Sequence, residues 1–285
     1  MKKTVERIPV QKTYKLYIGG AFPRTESGRF YRVEDGRGKL LANMCQASRK
    51  DLRNAVVAAR KAFSGWAGRS AYNRGQILYR VAEILETRRD QFVAELKSQG
   101  LPIAAARGEV DQSIEQLVYY AGWADKYQQV FSTVNPVSSS HFNFSILEPT
   151  GVVGILAPAT PSLLGIIATM APVVCGGNSC VVLASETKPL CSITLAEVLE
   201  TSDFPAGVVN ILTGSHSELL EQFATHMDIN AIVYCGDDPT GLRVVQEGAS
   251  LNVKRIVHCT DTAPTDPYRI LDVQEVKTTW HPIGA

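Results

Sequence analysis

The sequence predicts an α/β fold: a doubly wound parallel sheet, preceded by an N-terminal helical region and joined to a small β arm. Three observations carry this reading. From residue 151 onward, apolar β-branched runs (GVVGILA, SCVVLA, GVVNIL, AIVYC and KRIVH) alternate with helix-length segments. Five such strands specify a parallel sheet with right-handed crossovers and helices on both faces. Residues 71–98 and 105–130 repeat apolar side chains at helical spacing. HFNFSILEP (141–149) and LDVQEVKTTWHP (271–282) alternate apolar and polar residues, as strands with one exposed face do.

Taken in order, KLYIGG (15–20), GRFYRV (28–33) and LLANMCQA (40–47) read as short edge strands. Ser48 then caps a helix, with Asp51 completing a shortened capping box. One long amphipathic helix follows over 71–98, burying Ile77, Leu78, Val81, Ile84, Leu85, Phe92 and Leu96. Its ETRRDQ stretch (86–91) reads as a solvated face with i,i+4 ion pairs. Tyr119, Tyr120, Trp123 and Tyr127 share the spacing of one buried face, which makes them core rather than a ligand box. The Ser-rich STVNPVSSS (132–140) marks a boundary. In the sheet that follows, ligands are expected beyond the carboxyl ends of the strands. One such end, after AIVYC, is a Gly turn followed by Asp237 and Asp238 at the mouth of a helix that starts at Pro239. Carboxylates there either cap the helix or occupy a seat that would otherwise attract an anion.

Composition removes several function classes. Lys plus Arg number 29 against 28 for Asp plus Glu, so no overall field draws in nucleic acid or a membrane surface. The six cysteines form no CxxC pair and no zinc-ligand spacing, which argues against structural metal and disulfides and for a reducing, cytoplasmic setting. His141, His216, His226, His258 and His281 form no ligand pair either. MKKTVERIPVQKTYK lacks the apolar stretch of a signal peptide. The apolar segment 151–184 is cut by Pro158, Pro161, Pro172 and Gly176–Gly177 into pieces too short to span a bilayer.

EPTGVVGILAP (148–158), APVVCGGNSCVVL (171–183), FPAGVVNILTG (204–214) and the Asn-x-Lys-Arg of 252–255 together resemble the aldehyde dehydrogenase superfamily, over about Lys15 to Pro264. A further short match covers the EVKTTW region near the C-terminus. The resemblance implies NAD(P)-dependent aldehyde oxidation through a cysteine thiohemiacetal, on a Rossmann-like nucleotide domain with a catalytic domain and an oligomerisation arm. It assigns residues 1–138 and 150–262 to the nucleotide-binding-like domain and 139–149 with 263–285 to the arm. Carried over residue by residue, it leaves Glu186, Gly214 and Gly236 as cofactor-binding candidates. Glu186 is the ribose contact, or else a solvated loop carboxylate.

The family's chemistry is not carried over. Thr160 stands where the resemblance places the oxyanion-holding Asn, and loss of one such donor costs roughly 3–4 kcal/mol of transition-state stabilisation. The ribose-binding Lys is gone from Val182–Glu186, Asp237 replaces the Ser beside the diphosphate, and Cys259 replaces the general-base Glu. Only PTDPYRI (264–270) separates Ala263 from the arm-like LDVQEVKTTWHPIG, so the domain bearing the nucleophilic Cys is expected to be absent. The expectations are therefore no catalytic residue, no metal, and no tightly bound cofactor, with NAD(P) binding at most weak. The implied function is that of a non-catalytic structural or regulatory subunit, a pseudoenzyme. Its expected partner is a second copy or a full-length aldehyde dehydrogenase. The alternative is an NAD(P)-dependent oxidoreductase completed by a partner's catalytic cysteine. A third reading, redox work by Cys235 and Cys259, needs a depressed thiol pKa, and buried, inert thiols are expected instead.

Overall fold

A computed structural model describes residues 10–262 and 265–284. Most of the basic opening segment and the Ala-Pro pair at 263–264, where the arm was expected to begin, lie outside the described residues. β1 (Phe30–Glu34) and β2 (Leu40–Cys45) form an antiparallel hairpin. Ser48 and Asp51 make the expected capping box at the start of α1 (Arg49–Ala67). Asp51 is buried and also accepts the Thr25 hydroxyl at 2.6 Å, which ties the entry loop to this helix.

The expected long helix is two, α2 (Ala71–Thr87) and α3 (Arg89–Ser98). The break falls at Arg88, whose guanidinium reaches Glu197 at 2.5 Å on a distant helix. The expected i,i+4 pairs are also absent from this stretch: Arg89 instead faces Glu86 at i,i+3, and Asp111 across the helix interface. α4 (Ile103–Trp123) and α5 (Tyr127–Phe131) complete the helical region. Tyr120 and Tyr127 are buried as expected, while Tyr119 and Trp123 are only half-buried.

β3 (Thr133–Asn135) arises inside the Ser-rich segment and pairs with β4 (His141–Pro149). The remaining chain alternates as expected: β5 (Val152–Leu156), α6 (Ser162–Cys175), β6 (Ser179–Leu183), α7 (Leu190–Glu200), β7 (Val209–Leu212), α8 (His216–Thr225), β8 (Ala231–Tyr234), α9 (Pro239–Ser250) and β9 (Arg255–His258). A short α10 (Tyr268–Leu271) leads to β10 (Gln274–Pro282).

The five-stranded sheet is wholly parallel, in the order β7-β6-β5-β8-β9. Strands β5 to β8 are buried along their whole length, which is why they read as continuous apolar runs rather than alternating ones. Val153 and Ile155 of β5 enter one hydrophobic core with α2, α4 and α6, while Val152 and Leu156 enter a second with α1, α8 and α9. Successive strands leave β5 in opposite directions, so the switch point of the sheet lies between β5 and β8. That is where open α/β sheets leave a ligand crevice.

The strand expected over 15–20 reduces to isolated bridges. Gly19 and Gly20 adopt φ of +60° and +75° and turn the chain back on itself, closing an Ile18–Ala21 pair at 3.0 and 3.1 Å. Tyr17 exchanges backbone hydrogen bonds of 2.9 and 2.8 Å with Ile211 on the β7 edge, and Gly19 N–H donates to the Asn210 side chain at 2.9 Å.

The arm is an antiparallel sheet in the order β10-β4-β3. β10 pairs with the whole of β4, from Gln274 opposite Pro149 to Pro282 opposite His141. Asn178 joins arm and domain: its amide donates to the Val273 carbonyl at 3.0 Å, and its oxygen accepts Gly151 N–H at 2.8 Å.

Candidate functional site

A cleft of about 540 Å³ opens at the switch point, lined by Pro158, Thr160, Glu186, His216, Asp237 and Asp238 among others. It follows from the topology, because the loops after β5 and β8 diverge there. Its charged lining is three carboxylates, with no lysine or arginine among the described residues.

Four helices start at this carboxyl edge, and each presents N–H groups that the helix itself cannot satisfy. All four have acceptors from the chain's own side chains. Glu109, buried on α4, accepts Leu163 N–H at 2.7 Å and Leu164 N–H at 3.3 Å at the mouth of α6. Gln99 accepts Leu190 N–H at 3.2 Å at the start of α7. Glu186 accepts His216 N–H at 3.0 Å at the start of α8. Asp238 caps α9, accepting Thr240 and Gly241 N–H, both at 3.0 Å. Three of the four acceptors are carboxylates, which the positive end of a helix dipole favours.

Of the predicted cofactor residues, the structure brings Glu186 and Gly236 together in this cleft. Gly236 is required by a close approach. The Tyr234 hydroxyl folds over it, so that a Cβ at Gly236 would lie 2.2 Å from the phenol oxygen, and one at Gly241 2.3 Å from it. Burial, and then the nearby Asp238 and Asp237, push the Tyr234 phenol upward from its usual range. Gly214 is not among the cleft-lining residues. It sits at φ +152°, where a Cβ would lie 3.0 Å from Ala47 N. It thus allows the end of β2 to dock on β7 through Ala47 N–H to Thr213 O at 2.8 Å.

Sequence reasoning did not find Glu109 or Gln99. They lie 54 and 91 residues from the amides that they cap, so no local motif marks them. The capping role of Asp238 was legible, being local.

A second, smaller cavity of about 220 Å³ lies between α6, β9 and α10, lined by Thr169, His258, Cys259, Asp261, Arg269 and Asp272 among others. Burial keeps Cys180 and Cys191 well above the usual thiol range and pushes Cys175 up to about 12, as expected for inert thiols. Cys259 departs from that expectation. It is only half-buried, and a hydrogen bond from Cys235 together with the Arg269 guanidinium brings it down to about 7, against the opposing effect of burial. Cys235 moves the opposite way, because its proton is shared toward Cys259 and because it is buried. Among the described residues no group of His, Cys, Asp and Glu is arranged to hold a metal ion, and no helix is long and apolar enough to cross a membrane.

Residues 22–261 match the model of the aldehyde dehydrogenase family. The chain belongs to that family. It is 29% identical over 262 residues to cytosolic 10-formyltetrahydrofolate dehydrogenase of Mus musculus, a match covering 90% of this chain and 29% of the mouse protein. It is 32% identical over 257 residues to aldehyde dehydrogenase, cytosolic 1, of Elephantulus edwardii, covering 87% and 50% of the two chains. Among solved structures, PnpE from Pseudomonas sp. WBC-3 superposes with a TM-score of 0.82 at 31% identity, covering 86% of this chain and 50% of PnpE. PnpE has also been solved in complex with nicotinamide adenine dinucleotide. This aldehyde dehydrogenase family chain therefore spans about half, or less, of the length of these relatives.

Proposed function

We propose that this chain is a non-catalytic structural or regulatory subunit of the aldehyde dehydrogenase family, assembling through its β arm with a second copy or with a full-length relative. The observation that carries the first half is the state of the helix mouths. A dinucleotide diphosphate needs free N–H groups at a helix start, and here Glu109, Glu186 and Asp238 already accept them. Asp237 adds a further carboxylate in the same cleft. A like charge at about 4 Å costs about 1–4 kcal/mol, depending on screening, or about one to three decades of affinity. The Tyr234 hydroxyl fills the space above Gly236 and Gly241. These residues do not fit a dinucleotide, and Cys259 stands in the place that the family gives its general base. The expected result of calorimetric titration is no heat with NAD or NADP at millimolar concentration. Micromolar binding that is lost on changing Gly236 would overturn this half.

Assembly is supported by the arm. Its β10 and β3 each have one unpaired edge, and Val134, Phe142, Val276 and Trp280 are exposed on it. Unpaired strand edges and exposed apolar side chains on one small sheet suit strand addition by a partner. Residues 139–149 and 263–285 are the proposed arm, to which β3 adds a third strand. Residues 1–138 and 150–262 are the nucleotide-binding-like domain. Native mass spectrometry is expected to give a homo-oligomer, or a hetero-oligomer when a full-length family member is added. A lone monomer in both mixtures would sink the assembly reading.

The second reading, an oxidoreductase completed by a partner that supplies the thiol, draws on the cleft that persists at the switch point. It requires NAD(P) to bind, so the same titration separates the two.

A further inference from the structure

The geometry points to Cys235 and Cys259 as a peroxide-reactive dithiol that closes to a disulfide between the neighbouring strands β8 and β9. Three observations lead there. First, register: Tyr234 pairs with His258 in the parallel ladder, and Cys259 N–H donates to Tyr234 O at 2.9 Å. Carried one residue further, the ladder sets Cys235 opposite Cys259, with both side chains on the face away from the stacked Tyr234 and His258 rings. Neighbouring strands lie about 4.8 Å apart, inside the range of about 4.4–6.8 Å between Cα atoms that a disulfide bridges. Both are free thiols, and the neighbouring Cys235 is the largest influence lowering the Cys259 thiol.

Second, access: Cys259 lines the cavity of about 220 Å³, whereas Cys235 is buried behind it and lines the larger cleft. A small hydroperoxide can therefore meet Cys259 first. Third, polarisation: Arg269 lines the same cavity, and its buried Nη1 has no hydrogen-bond partner. Its charge favours the Cys259 thiolate. Nη1 is left to hold the oxygen that departs.

The steps balance with hydrogen peroxide as oxidant. The Cys259 thiolate attacks one peroxide oxygen, an S–O bond forms and the O–O bond breaks, and the departing hydroxide takes a proton to become water. The Cys235 thiol then gives up its proton and attacks the Cys259 sulfur. The S–S bond forms, the S–O bond breaks, and the hydroxyl leaves as a second water. Two thiols are oxidised to one disulfide while one peroxide is reduced to two waters. The other four cysteines are buried and take no part.

The test uses the full chain, fully reduced and treated while folded with stoichiometric hydrogen peroxide, followed by thiol counting in denaturant and peptide mass mapping. The expected result is that two of the six thiols disappear together as one linkage joining 235 to 259. Cys259→Ser then loses no thiol over the same range. Cys235→Ser stops at a sulfenic acid on Cys259, trapped by dimedone. In the unoxidised protein, alkylation of Cys259 rises around pH 7, the value to which it is lowered, and Cys235→Ala, which removes the donor, moves that midpoint upward. Survival of all six thiols, a linkage between other cysteines, or passage of Cys259 to sulfinate without a linkage in the unmutated chain would each overturn the proposal. The mapping of the unmutated chain decides the matter even if a variant folds poorly.

Discussion

Replacing Glu109 with alanine is expected to lower the unfolding free energy by about 3 kcal/mol, because two buried N–H groups lose their acceptor at about 1–3 kcal/mol each. Those are Leu163 N–H and Leu164 N–H, which the Glu109 carboxylate reaches at 2.7 and 3.3 Å. The helix that they begin is buried along its whole length, so water cannot replace the carboxylate. Glu109→Gln keeps a carbonyl oxygen in place and is expected to recover more than half of the loss, with the remainder measuring the charge at the helix mouth. Urea unfolding midpoints check both. A Glu109→Ala protein as stable as its parent would show that the α6 mouth has another acceptor, and would remove one support for a closed anion seat.

Replacing Trp66 with alanine is expected to cost about 3–5 kcal/mol, the range for emptying a large buried aromatic site. Trp66 is fully buried at the end of α1, stacks on Phe204 with ring centroids 5.1 Å apart, and donates its indole N–H to Val174 O at 2.9 Å. It thus joins α1 to the last turn of α6. Trp66→Phe retains much of the ring volume but removes the donor and part of the indole, so its expected loss is smaller, about 1–2 kcal/mol. Equal losses in the two variants would mean that the hydrogen bond, and not packing, carries the site.

The strands of the parallel sheet were legible because each is covered on both faces, which writes an uninterrupted apolar run into the sequence at 152–156, 179–183, 209–212 and 231–234. The caps at Ser48 and Asp238 were legible for the opposite reason, since donor and acceptor lie within three residues. The misread elements were settled at a distance. The helix over 71–98 breaks at Arg88, whose side chain is held by Glu197. β3 forms inside a Ser-rich segment because β4 offers it an edge. Residues 15–20 have strand-like composition, but Gly19 and Gly20 turn them away after a single bridge to Ile211.

The candidate site divides along the same line. Gly236, Glu186, Asp237 and Asp238 could be picked out from motif spacing, and all four line one cleft. That Glu186 reaches the α8 mouth, that Glu109 closes the α6 mouth and that Tyr234 covers Gly236 could not be read from spacing.

By itself, the sequence determined the fold class, the five parallel strands, the family and the acidic character of the loop after β8, because each rests on local composition or short spacing. Only the tertiary structure decided which carboxylate satisfies which helix, that Gly214 serves a backbone contact outside the cleft, and that Cys259 shares a cavity with Arg269. Those facts depend on side chains brought together by strand register and helix packing over tens of residues, and a hydrogen bond or a Coulomb contact is set by distance in space rather than along the chain.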